Sequence, residues 1–192
     1  MTSSSYPIPQ VRVLTDFIPG ERVRDVVLSA SFCLAIAASA QVAFYLPGNP
    51  VPVTAQTFVV LAGAVALGGK RAVVGAALYA GLGVAGLPFF AASGGATLGY
   101  ILGFVVASAM LGAWASRGGI RSLRAVTVAM ILGNAVILGL GATWLGLFTG
   151  NGAAYAIASG VVPFLPGAVV KTAAAVAVVP GLWRLLGDRR DG

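Results

Sequence analysis

Few residues in this chain could do chemistry, and the one that stands apart is Lys171. It is the only charge that cannot be assigned to the flank of an apolar segment, lying within Val162-Pro163-Phe164-Leu165-Pro166-Gly167-Ala168-Val169-Val170-Lys171 at the start of the last hydrophobic stretch. A cation about one helical turn into an apolar helix costs roughly 2.5–3.5 kcal/mol at mid-bilayer and less near the edge, so such a residue points to a site. Its neighbours at helical spacing, positions 167, 168, 174 and 175, are Gly, Ala, Ala and Ala, which leaves volume beside the ammonium group. Thr54, Gln56, Thr97 and Tyr100 fall near the ends of other apolar segments. With Lys171 they favour binding of a small anionic or polar ligand. The other reading of Lys171 is a side chain snorkelling to the headgroups from a helix end. Asn134, an amide in the middle of Ile131-Leu132-Gly133-Asn134-Ala135, must find a partner on a neighbouring helix or on a ligand, and its position favours the helix.

Catalysis is poorly supplied. The chain has no histidine and one cysteine, Cys33, which lies inside an apolar run, and no apolar run contains an acidic residue. A hydrolase or transferase would lack its general base, and disulfide, zinc and haem chemistry lack their ligands. Gly68-Gly69-Lys70-Arg71 has the look of a phosphate-binding loop, but the required earlier glycine falls on Ala64 and the lysine is followed by Arg71, not by Ser or Thr. No nucleotide site and no cofactor are expected.

The elements that must position these residues are membrane helices. Of 192 residues 58% are hydrophobic and only 9% charged, and several apolar runs reach the length needed to cross a bilayer. Strand-length alternation, which a barrel would require, is absent from the sequence. Six spans are expected, at 26–46, 53–69, 72–90, 97–114, 126–148 and 167–186, in one all-α bundle over 26–186. A short apolar stretch at 151–162 reads as an interfacial or re-entrant helix. Residues 1–25 and 187–192 read as polar cytoplasmic segments, and since the former show no basic-then-apolar signal pattern, insertion is expected to rely on the first span.

The net charge of +7 reports topology and not a nucleic-acid surface. Charge collects before the first span, at Lys70-Arg71, from Arg117 to Arg124 and from Arg184 to Arg190, which are alternate ends of the bundle, whereas the loops at 47–52, 91–96 and 149–166 carry none. The positive-inside rule therefore puts both termini in the cytoplasm and places Lys171, Thr54, Gln56, Thr97 and Tyr100 together on the outer side. Rows of small residues at four-residue spacing, Ser31/Ala35/Ser39, Ala77/Gly81/Ala85 and Gly95/Gly99/Gly103, allow close helix approach within the bundle or with a partner.

In combination and order, three stretches resemble the BioY family, the membrane-embedded biotin-binding subunits of energy-coupling-factor vitamin transporters. Pro50-Val51-Pro52-Val53-Thr54-Ala55-Gln56-Thr57-Phe58, followed by Leu67-Gly68-Gly69-Lys70-Arg71, is similar to the family's PVPVTLQT signature and its sequel. Gly86-Leu87-Pro88-Phe89-Phe90-Ala91, leading to Gly99-Tyr100-Ile101-Leu102-Gly103-Phe104, resembles the GLPVFA and GGYLLGF blocks. Phe164-Leu165-Pro166-Gly167-Ala168-Val169-Val170-Lys171 lines up with FLPGDLxK.

The resemblance implies a binder of biotin in the cytoplasmic membrane of a prokaryote. Lys171 would hold the ligand or its carboxylate, Asn134 with Thr54 or Gln56 its ureido ring, and Tyr100 would pack against it. It also implies a transmembrane coupling subunit and two ATP-binding cassette subunits, docking on the first helix at Ser31, Ala35 and Ser39, or else action alone, in some cases as a homo-oligomer. Two departures touch the pocket. Ala168 stands where the family pattern has an aspartate, and the stretch before Gly99-Tyr100 reads Gly95-Ala96-Thr97-Leu98 where members commonly have GPTGGY. A binder of another small vitamin or anionic solute therefore remains the alternative. A channel would need a polar stripe from side to side, an enzyme would need acid or base groups, and a purely structural bundle leaves Lys171 without a purpose.

Overall fold

In the computed structural model, residues 20–87 and 94–186 are described. The chain runs through α1 (Glu21–Ala40), β1 (Ala43–Phe44), β2 (Val53–Thr54), α2 (Gln56–Leu67), α3 (Gly69–Val84), a 3-10 turn (Gly94–Thr97), α4 (Leu98–Ser116), α5 (Leu123–Thr149), α6 (Gly152–Gly160), a second 3-10 turn (Val162–Phe164) and α7 (Leu165–Leu186). The third span, expected at 72–90, is a helix that ends at Val84, because the chain turns at Gly86, whose φ is 82°; residues 88–93 lie outside the described residues, as do 1–19 and the tail at 187–192.

Six helices, α1 to α5 and α7, form the bundle, and the nine-residue α6 is too short to cross, as its composition suggested. Four stretches of the described residues are long and apolar enough to span a membrane: Glu21–Ala40, Gly95–Ser116, Leu123–Thr149 and Gly152–Leu185. The last of these joins α6 and α7. α2, at 12 residues, is only about 18 Å long.

Two span boundaries differ from expectation for one reason. The first helix ends at Ala40, not Leu46, and the second starts at Gln56, not Val53, because the chain between them folds into a small antiparallel hairpin, Ala43 opposite Thr54 and Phe44 opposite Val53. Val42 to Leu46 prolong the hydropathy run without prolonging the helix. The exposed Phe44 and Tyr45 on this hairpin suit the membrane–water boundary.

Packing relies on close backbone approach, because lipid offers apolar side chains as good a solvent as another helix does. The row Gly95/Gly99/Gly103 lies on α5: an added Cβ would come within 2.6 Å of the Phe148 ring, 2.2 Å of Trp144 Cβ and 2.9 Å of Ile137 Cα, in that order. Phe32 of α1 is wedged between α2 and α3 in the same way, since a Cβ at Gly63 or Gly75 would stand 2.2 and 2.7 Å from its ring. The other rows do not behave alike. Ala77, Gly81 and Ala85 are exposed, and a Cβ at Gly81 would meet nothing within 4 Å. In α1, Ser31 and Ala35 are exposed but Ser39 is buried, its hydroxyl donating to Ile36 O at 2.8 Å, so that row is not one continuous outward face.

The charged end is also knit together. Arg71 Nε donates to Asp25 Oδ1 at 2.6 Å, joining α3 to α1. Gly68, at φ 79°, is the left-handed hinge between α2 and α3, and Gly69 N–H donates to Ser116 Oγ at 2.9 Å. All these contacts lie at the opposite end of the bundle from the Lys171 cluster.

Candidate ligand-binding site

The starts of α2, α4 and α7 meet beneath the hairpin, and this convergence builds a narrow cavity, about 40 Å³ of free space, open on one side. The hairpin arm contributes Val51, Pro52 and Thr54, and α2 contributes Gln56 and Thr57. Tyr79 reaches in from α3, Thr97, Tyr100, Ile101 and Phe104 come from the α4 side, and Leu138 from α5. Phe164 and Lys171 close the ring. The lining is largely apolar and aromatic with a few convergent polar groups, the composition of a small-molecule site.

Lys171 does not snorkel outward. Because α7 begins at Leu165, two residues earlier than expected, its side chain leaves the second turn and turns inward, where Nζ donates to Thr54 O at 2.5 Å and to Thr57 Oγ1 at 2.8 Å. Gly167 stands beside this path, since a Cβ there would lie 4.0 Å from Lys171 Nζ. No carboxylate answers the ammonium among the described residues, because Asp25–Arg71 is the one ion pair they form. A carbonyl and a hydroxyl solvate the charge in place of a counter-ion.

The polar network continues inward. Thr54 Oγ1 donates to Gln56 Oε1 at 3.0 Å, and Gln56 Nε2 donates to Tyr79 Oη at 2.7 Å. Gln56 is 7% and Tyr79 1% exposed, so each supplies what the other's burial demands. On the far wall Tyr100 Oη donates to Gly160 O at 2.7 Å, and its ring faces Phe164 at a centroid distance of 5.6 Å. That ring is seated on Gly141, where a Cβ would fall 2.2 Å away. Outside the cavity, Trp144 Nε1 donates to Gly95 O at 2.6 Å, and Asn49 Nδ2 donates to Ser159 O at 2.8 Å, tying the hairpin loop to α6.

Of the residues singled out by sequence, Lys171, Thr54, Gln56, Thr97 and Tyr100 are brought together here. Asn134 and Ala168 are not among the described residues that line the cavity. Asn134 is buried and its Nδ2 donates to Met130 O of its own helix at 2.8 Å. Ala168 is half-buried one turn before Lys171, and its carbonyl accepts from Thr172 Oγ1 at 2.8 Å. Sequence reasoning passed over Tyr79, although a tyrosine inside an apolar helix signals a hydroxyl in need of a partner.

Comparison with known proteins identifies the fold and the family. A crystal structure of the S-component for biotin from an ECF-type ABC transporter has the same fold, with a TM-score of 0.74 at 19% identity, over 88% of this chain and 93% of that one. A protein of Pyrococcus horikoshii named as a probable biotin transporter BioY is 33% identical over 168 residues, 84% of this chain and 97% of its own. The biotin transporter BioY of Rhizobium etli is 29% identical over 79% of this chain and 89% of its own. The family model described as BioY family matches residues 9–188, and this multi-pass membrane protein belongs to that family.

Proposed function

We propose that the bundle at 26–186 captures biotin from the outer face of a prokaryotic cytoplasmic membrane and delivers it inward. The observation that carries this is Lys171, a cation turned into an apolar cavity and held there by Thr54 O and Thr57 Oγ1 without a carboxylate. Such an ammonium group is poised to exchange neutral partners for the carboxylate of an incoming ligand, a charge-assisted bond about twice as strong as a neutral one. Gln56, Thr54 and Tyr79 together offer donors and acceptors in a dry site, matching a ureido ring, while Tyr100, Phe104 and Phe164 supply the apolar walls for the rest of the molecule.

Energy is supplied from outside the chain, because its one phosphate-loop-like stretch fails at Ala64 and Arg71. A transmembrane coupling subunit with two ATP-binding cassette subunits would provide it, meeting α1 on the exposed Ser31 and Ala35. Ser39 would then act only within the bundle. A homo-oligomer acting alone is the competing arrangement. Copurification from solubilised membranes separates the two: uptake that persists in a host without the ATPase module, with no ATPase recovered, rules out the first.

Equilibrium binding of labelled biotin to the purified protein tests the assignment, with saturable binding displaced by unlabelled biotin expected. Ala168 favours a second reading, in which the ligand is another small anionic solute. Saturable binding of a labelled related carboxylate, with none of biotin, would establish it.

A further inference from the structure

Gly68-Gly69-Lys70-Arg71 serves no nucleotide and lies at the opposite end from the cavity. It forms the head of an open groove of about 570 Å³ between α1, α3 and α4. The groove's body is apolar, with Val26, Val73, Val74 and Ala109 along it, and its charged residues are Asp25, Lys70 and Arg71. Asp25 is spent on Arg71 at 2.6 Å, so the head carries one net positive charge, on the exposed Lys70, which forms no ion pair among the described residues.

Two further features point to what lies there. α3 is a 16-residue helix without a side-chain cap from its N-cap residue, Gly68. Ser116 takes the Gly69 N–H, but the N–H groups of Lys70 and Arg71 have no carbonyl within their own helix to bond, and such a terminus attracts anions. Independently, Ser29 lines the groove at 4% exposure, and its hydroxyl forms no hydrogen bond to any described residue. It lies one turn from Asp25 along α1, about 6 Å deeper.

We infer that this groove binds an anionic glycerophospholipid of the inner leaflet, its phosphate at Lys70 and the start of α3, an ester carbonyl accepting from Ser29, and an acyl chain along Val26, Val73 and Val74. A basic head over an apolar channel at the cytoplasmic end matches both halves of that ligand. A transmembrane helix of a protein partner would fill the channel but leave the anion site and the Ser29 hydroxyl unanswered.

Native mass spectrometry of the purified protein with equal amounts of dioleoylphosphatidylglycerol and dioleoylphosphatidylcholine tests this. About a fivefold preference for the anionic lipid is expected, since one basic residue at a membrane surface contributes on that scale. Lys70→Ala should bring the ratio close to one and Lys70→Arg should keep it. Ser29→Ala should weaken retention of both lipids, and Arg121→Ala, at the same end but outside the groove, should change nothing. Each variant is compared only if it elutes as a single species. Equal retention by the unmodified protein, or a loss with Arg121→Ala as large as with Lys70→Ala, overturns the inference. A photo-crosslinker at Val74 in native membranes adds a separate arm: lipid adducts support the site, and adducts to polypeptide alone refute it.

Discussion

The two ends of the bundle treat their polar groups differently. At the cavity, Lys171, Thr54, Gln56, Tyr79 and Tyr100 all have partners within the chain. At the groove, Lys70 and Ser29 have none among the described residues, although the ion pair beside them is closed. A site that must give up its ligand gains from polar groups that can bond to each other once it leaves, because an unpaired buried donor costs about 1–3 kcal/mol. A site bathed in its own ligand needs no such substitutes. The cavity is therefore built for exchange and the groove for permanent occupation.

The largest expected effect breaks the exchange at its centre. Lys171→Ala removes the only cation among the described residues that line the cavity, and biotin affinity should fall about 30-fold or more, the scale seen when one member of a desolvated charge pair is truncated. Titration with labelled biotin measures it, and an unchanged affinity would remove Lys171 from the site. Lipid retention at the groove should not respond.

A smaller effect follows from the glycine contacts. Gly141→Ala puts a Cβ 2.2 Å from the Tyr100 ring, an overpacking cost of about 1–3 kcal/mol, and should lower both thermal stability and biotin affinity. Gly81→Ala, where no atom lies within 4 Å, should stabilise the helix by up to about 1 kcal/mol. Melting curves of the two variants compare them, and equal losses would mean that these glycines matter for reasons other than contact.

Tyr79→Phe should act more gently still. It keeps the ring against Phe104, 6.5 Å away between centroids, and strands one N–H of Gln56. Biotin affinity should fall about fivefold, the lower range for an unsatisfied buried donor. A loss confined to ligands bearing the ureido group would mark Tyr79 as orienting Gln56; an equal loss for every ligand would mark it as structural.

What could be read from sequence divides along physical lines. Lys171 was legible because charge is expensive in hydrocarbon, and the end on which the site lies was legible because Lys70, Arg71 and Arg117 to Arg124 cluster at the other. The hairpin was not, since Val42 to Leu46 are as apolar as a helix and a run that short has no period to betray it. Asn134 misled for a related reason: its buried amide announced a need for a partner, and Met130 O of its own helix meets that need. Whether a row of small residues packs inside or faces outward depends on what opposes it. Gly95/Gly99/Gly103 and Ala77/Gly81/Ala85 read alike in sequence and differ in the fold.

Ala168 carries the smallest effect and the one that most sharpens the contrast between the ends. An aspartate there would stand three residues before Lys171, within reach along the helix face. It would act in two opposed ways. As an acceptor it would serve ligand N–H groups, but as a counter-charge it would compete with the ligand carboxylate for the ammonium, which Thr54 O and Thr57 Oγ1 now solvate. Resemblance to the family's Asp-x-x-Lys pattern favours the first, so Ala168→Asp should tighten biotin binding by about threefold, the modest worth of one charge-assisted bond offset by the competition. The gain should vanish for a biotin analogue that lacks the ureido N–H groups. Weaker binding of biotin and analogue alike would mean that the carboxylate captures Lys171 for itself, and that this cavity works because its lysine has no acid to hold.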